Sequence, residues 1–231
     1  MSLKPTNLIF ALAAAMVALL LSAPGFAQDG MDADTRAKLT AAMNAENRPE
    51  ADRARDRNRR PIETLEFFGL KDNMKVLEIS PGGGWYTRLL MPTLADKGKL
   101  YMTIGTRGVA ALADLPGFDE AEVLDVANFG ERGDDGRYGV AAFSLGMDDL
   151  DLALTFRNMH NFSESGRANI NKAVFEGLKS GGHYGVVDHT RRHMQPDYRE
   201  GNRRIEPVLI IKEVEAAGCA FVDCAAVRYM P

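Results

Sequence analysis

The sequence predicts an α/β fold built on a doubly wound, mostly parallel sheet, on three observations. From residue 75 onward, short apolar runs of strand character alternate with segments of helical periodicity, the pattern of βαβ units. A triple glycine, Gly82-Gly83-Gly84, separates the first of these runs from the helix that follows it. The composition is that of a chain with a sizeable core: 231 residues, 45% apolar, 26% charged, with a formal charge of −4. That balance excludes a disordered or collagen-like chain, and two cysteines cannot staple this length into a disulfide scaffold. The acidic balance also argues against a nucleic-acid partner, because no basic footprint faces a phosphate backbone.

Residues 1–27 read as a signal peptide. Lys4 gives the positive start, residues 8–21 are an apolar run, and Ala23-Pro24-Gly25-Phe26-Ala27 carries small residues where a signal peptidase cleaves. The run falls short of the ~20 residues needed to span a bilayer, so no stable membrane span is expected after cleavage at Ala27. The expected location is outside the cytoplasm, in the periplasm. There Cys219 and Cys224 could form a bridge, but their apolar surroundings favour buried free thiols.

Residues 28–60 form an N-terminal helical, arginine-rich segment. A helix over residues 34–45 places Leu39, Ala42 and Met43 on one face, and Arg48, Arg53, Arg55, Arg57, Arg59 and Arg60 follow, interleaved with acids. Two readings stand for the arginines: a solvated helix laced with ion pairs, or a lid facing an anion. The third unit, residues 61–231, is the α/β domain. Pro61 opens a short helix with Ile62, Leu65 and Phe68 at threefold spacing, closed by Gly69.

Strands are then expected at residues 75–79, 99–104, 122–126, 152–156 and 183–188, with a sixth over 221–227. Helices are expected after the glycines, carrying Trp85, Leu89, Leu90 and Leu94, with Pro92 bending the end, and over 108–115. Ile170, Val174 and Leu178 mark a later helix ended by Gly181-Gly182, and Val208, Ile211 and Val214 a last one ended by Gly218. Between them, residues 128–147 form a glycine-rich excursion turning at Gly133-Asp134-Asp135-Gly136.

Chemistry should concentrate at Glu78-Ile79-Ser80-Pro81-Gly82-Gly83-Gly84. A buried strand feeding glycines at a helix start lets a ligand approach the backbone. Thr87 stands where a dinucleotide-binding pattern has its third glycine, which disfavours a nicotinamide oxidoreductase. No histidine or cysteine spacing points to a metal.

This string resembles the first motif of class I S-adenosylmethionine-dependent methyltransferases. With Ala51-Asp52-Arg53-Ala54-Arg55-Asp56, the PGGGWYT string at 81–87, the RNMHN string at 157–161 and Gly185-Val186-Val187-Asp188-His189, the chain is similar over residues 48–228 to a bacterial group of secreted-type methyltransferases. The resemblance implies S-adenosylmethionine as cofactor and a small-molecule acceptor. It implies that Glu78, Pro81, Gly82, Gly83 and Gly84 hold the methionine and ribose end and that Asp125 stands near adenine. It places Asn158, His160 and His189 on the substrate rim as the catalytic candidates.

Two departures accompany it. Ile104-Gly105-Thr106-Arg107 has no acid where the family usually binds the ribose hydroxyls, and the sequence stops at Tyr229-Met230-Pro231. Either the sheet closes without the family's antiparallel last strand or the chain is truncated. The competing reading is an exported, non-catalytic ligand-binding protein that retains the methyltransferase fold.

Overall fold

The computed structural model describes residues 30–191 and 203–225. The expected signal peptide therefore lies outside the described residues. Among them, no helix is long and apolar enough to cross a membrane.

Five strands form one parallel sheet in the order β3-β2-β1-β4-β5: β1 (Lys75–Ile79), β2 (Lys99–Thr103), β3 (Glu122–Val123), β4 (Leu150–Phe156) and β5 (Leu178–Val187). Apart from Lys75 and Asp151 near their starts and Glu78 and Thr155 near their ends, the two middle strands are apolar, because both their faces are covered. Val76, Leu152 and Leu154 point into one core with Leu39, Leu65 and Leu89. Leu77, Ile79 and Ala153 point into the other with Ile170 and Val174. The helices α1 (Ala33–Asn44), α4 (Pro61–Phe67) and α5 (Thr87–Leu94) belong to the first layer, and α6 (Glu164–Gly177) and α7 (Pro207–Ala216) to the second. Side-chain caps stop the two longest helices from fraying: Asp32 accepts from Thr35 N at 2.8 Å and Ser163 from Gly166 N at 3.1 Å.

The chain runs outward from β1 through β2 to β3, then crosses to β4 on the other side of β1. That reversal opens a crevice beyond the carboxyl ends of β1 and β4. The first residue after each of β1, β2 and β4 is left-handed without being glycine: Ser80 (φ 57°), Ile104 (φ 56°) and Arg157 (φ 65°). Each such residue costs ~1–3 kcal/mol, and strain of this kind clusters at ligand sites.

Several expectations need correction. The third strand is two residues long, and the segment expected to be a helix over 108–115 is a 3-10 helix at Thr106–Leu112. Trp85 lies in the turn before α5, not in the helix. Helix α6 ends at Gly177 and β5 begins at once: Leu178 pairs with Leu150, the register slips, and His183 pairs with Leu152. Gly181-Gly182 is thus taken up inside β5 and ends no helix.

On α7 the expected face is met in part: Val208 is exposed and Ile210 buried, while Val214 packs on the core, and Arg167 and Glu213 join the helix to α6 in a two-pronged ion pair at 2.7 Å. No sixth strand forms among residues 221–225, and 226–227 lie outside the described residues. Gly218 packs on the Phe175 ring, and the next residues bond locally, Cys224 N to Asp223 Oδ1, instead of to a neighbouring strand. Phe221 and Val222 stay exposed as a result. Both cysteines are free and Cys224 is exposed, so the buried-thiol expectation fails for that residue.

Candidate active site

The crevice at the switch point is a cavity of ≈720 Å3. Its floor is the turn after β1. Glycines at 82 (φ 57°) and 84 (φ 75°) bend the backbone through left-handed conformations, and the Gly84 N–H closes the turn onto Pro81 O at 2.9 Å. A Cβ on Gly83 would meet nothing within 4 Å, so the backbone there is open to a ligand. Ser80 Oγ, at the cavity wall, is buried with no hydrogen-bond partner.

Glu78 is 2% exposed, borders the same cavity, and accepts from Thr87 Oγ1 at 2.7 Å. Burial pushes its carboxyl up to about 7, which the threonine hydrogen bond only partly offsets. Because the folded value lies above the ordinary carboxyl value, Glu78 favours folding at low pH and loses that contribution as pH rises through about 7. Thermal melts between pH 4.5 and 8 should therefore show a loss that Glu78→Gln removes, a difference on the order of 5 °C. Parallel melting curves for the two proteins would contradict this account.

The opposite wall comes from β4 and β5. His160, on the short 3-10 turn Met159–Asn161, is buried, with Nδ1 2.5 Å from Asp188 Oδ1. The His160 N–H donates to the other oxygen of Asp188 at 3.0 Å. Asp188 thus fixes both ring and backbone, leaving Nε2 as the nitrogen free of hydrogen bonds among the described residues. His189 sits on the same wall, its ring centroid 5.9 Å from that of His160. Arg157 Nε donates to His189 Nε2 at 2.7 Å, so this ring is an acceptor. Burial, and then the Arg157 charge, hold His189 below the usual imidazole value. Asn158 uses its amide hydrogens on the carbonyls of Ser80 and Phe156, both at 3.0 Å, and so ties the exit of β1 to that of β4.

The third wall is the arginine-rich segment. It is not a single helix: α2 (Glu50–Arg53) and α3 (Asp56–Arg59) are one turn each, and Arg53, Arg55, Arg57 and Arg60 are exposed while Arg48 is buried and Arg59 half-buried. Arg48 is buried and grips Asp56 through both guanidinium nitrogens, at 2.7 and 2.6 Å. Trp85 Nε1 donates to Asp52 O at 3.0 Å, and the Arg59 guanidinium lies 4.4 Å from the Trp85 ring centroid. Arg55 and Arg59 then line the cavity.

Among solved structures, a SAM-dependent methyltransferase from Aquifex aeolicus is similar at a TM-score of 0.53 and 20% sequence identity, over 77% of this chain and 87% of that one. A putative O-methyltransferase from Nostoc punctiforme gives 0.51 and 13%, over 81% of this chain and 63% of that one. The fold is that of a class I methyltransferase. No family model and no curated protein matches the chain.

On this methyltransferase frame, Glu78, Pro81, Gly82, Gly83, Asn158, His160 and His189 all border one cavity. Two expected site residues do not. A Cβ on Gly84 would stand 2.7 Å from Leu112 Cδ1, so that glycine serves packing against the 3-10 helix at Thr106–Leu112. Asp125 is exposed and outside the cavity lining, because β3 stops two residues before it.

Sequence reasoning also missed parts of the site. Asp188 appears there only inside the Gly185-Val186-Val187-Asp188-His189 string, unpaired with His160, although an acid ending a strand beside a histidine is a visible signal. The same reasoning missed Gly108, where a Cβ would lie 2.5 Å from Gly82 O, so a residue without one lets the 3-10 helix support the glycine turn. Ser80 stands in the glycine-rich string without a role of its own, and nothing local in the sequence signals the path of Arg59 to Trp85.

Proposed function

We propose that this protein transfers a methyl group from S-adenosylmethionine to a small acceptor, with His160 as the base. One observation carries the reading: His160, held by Asp188, borders the same cavity as the open glycine turn, at the switch point of a methyltransferase fold. The residues present suit the cofactor. Glu78 offers a buried carboxyl to its ammonium group, the open backbone at Gly83 gives close approach, and the unpartnered Ser80 Oγ supplies a hydrogen-bonding group.

When bound, S-adenosylmethionine supplies a methyl group already activated on a sulfonium. The chain's own work is then alignment and one proton. Asp188 holds Nδ1 of His160 protonated, which leaves Nε2 to take the proton of an acceptor hydroxyl or amine as it becomes a nucleophile. Arg157 occupies the accepting Nε2 of His189, which leaves its Nδ1–H as a donor able to orient the same group. Asn158 is a positioning residue that holds the two strand exits in register. The sequence of residues 1–27 supports export, with this chemistry taking place outside the cytoplasm.

Calorimetry with S-adenosylmethionine, S-adenosylhomocysteine and NAD tests the reading. Binding of both sulfur cofactors but not NAD is expected. Preference for NAD would overturn it, and binding without turnover over a panel of acceptors would favour a non-catalytic binding protein.

A further inference from the structure

We propose that the substrate taken by this cavity carries a carboxylate or phosphate group, seated between the guanidinium groups of Arg59 and Arg157. The inference rests on the methyl-transfer reading only in calling that substrate the methyl acceptor.

The chain as a whole is acidic, at −4, yet the cavity wall is not. Arg55, Arg59, Arg157, Arg203 and Arg204 border it, against the single carboxyl of Glu78. Some of this charge is already engaged. Arg55 pairs with Asp52, and Arg204 donates to Thr190 O at 3.2 Å. Arg59 and Arg157 form no ion pair among the described residues. The Nε of Arg59 is buried without a hydrogen-bond partner, and that of Arg157 is bound to a neutral imidazole.

A structural role accounts for part of this arrangement. The Trp85 face fixes where the Arg59 guanidinium lies, through a cation–π contact. It does not account for keeping Arg59 close to the like charges of Arg55 and Arg157. Burial, followed by repulsion from Arg55 and Arg157, pushes Arg59 down to about 10, which leaves it charged near neutral pH but at a cost. Arg157 is held at φ 65°, a conformation an arginine adopts only when its surroundings impose it.

An anion between the two would offset the repulsion, and guanidinium groups bind carboxylate and phosphate in two-pronged geometry. Arg157 immediately precedes Asn158 and bonds His189, so an anion held there would lie on the base's side of the cavity.

The test is calorimetry of the full chain with 4-hydroxybenzoate, phenyl phosphate and the neutral 4-hydroxybenzamide, with and without saturating S-adenosylhomocysteine. At least one acid should bind ~10-fold or more tightly than the amide, as expected for one charge-assisted contact, and the preference should shrink as salt rises from about 50 to about 200 mM. Arg59→Gln should bring acid and amide to within about twofold while Arg59→Lys keeps part of the preference. Arg157→Gln gives a second reading should the Arg59 variant fold poorly. Equal affinity for acid and amide, or no measurable binding of either acid, overturns the proposal. If S-adenosylhomocysteine displaces the acids and Arg59→Gln weakens it equally, the anion is the cofactor's own carboxylate and the assignment to the substrate falls. If the acids bind preferentially while S-adenosylhomocysteine does not bind at all, the anion site stands and methyl transfer is what fails.

Discussion

His160→Asn is expected to slow methyl transfer ~10²-fold or more while leaving the affinity for S-adenosylhomocysteine within about twofold of the original. Asparagine can keep a bond to Asp188, but it offers no basic nitrogen at the position of Nε2. The cofactor side is spared because the glycine turn and Glu78 belong to the β1 exit, and His160 makes no bond to either.

Asp188→Asn should cost a comparable factor by a different route. The carboxylate that accepts from Nδ1 would become an amide able to donate to it, which favours the wrong tautomer. That substitution also touches the N–H groups of His160 and His189, so its melting temperature must be measured beside its rate. Turnover of His160→Asn within about threefold of the original would remove the base, and the acceptor would then have to arrive as a competent nucleophile.

Gly83→Val should abolish detectable cofactor binding, a loss of ~100-fold or more, with a melting temperature within about 2 °C of the original. The two halves of the expectation have separate causes. Gly83 has no positive φ, and its missing Cβ faces open space, so the backbone accepts valine without strain. The added side chain instead enters the cavity that the ligand must fill.

Gly84→Val makes the contrast. There φ is 75° and Leu112 Cδ1 would be 2.7 Å away, so the fold itself should weaken. Calorimetry and thermal melts on the pair would show opposite patterns. Retained binding in Gly83→Val would move the ligand away from the glycine turn.

The sequence determined the parts of this protein that are local. A run such as Lys75-Val76-Leu77-Glu78-Ile79 followed by Ser80-Pro81 and three glycines specifies buried strand, turn and helix within a dozen residues. The alternation of such units specifies a parallel sheet, because right-handed crossovers leave little else. From that frame the rim positions of Asn158, His160 and His189 follow, since residues ending neighbouring parallel strands share one edge.

Tertiary structure decided whatever depends on partners distant in the chain. Asp188 meets His160 across 28 residues, because β4 and β5 reach their carboxyl ends in the register that pairs Phe156 with Val187. Arg59 reaches the cavity only because Arg48 and Asp56 fold the segment back onto Trp85, and a charge-rich string gives no local sign of that. The apolar run after Gly218 met every local criterion for a strand, yet its described part forms none, because a strand exists only where a neighbour offers the matching ladder of hydrogen bonds. Asp125 shows the same limit at the other edge of the sheet. Where β3 ends is set by its pairing with β2, over Tyr101 to Glu122 and Met102 to Val123, and not by its own residues.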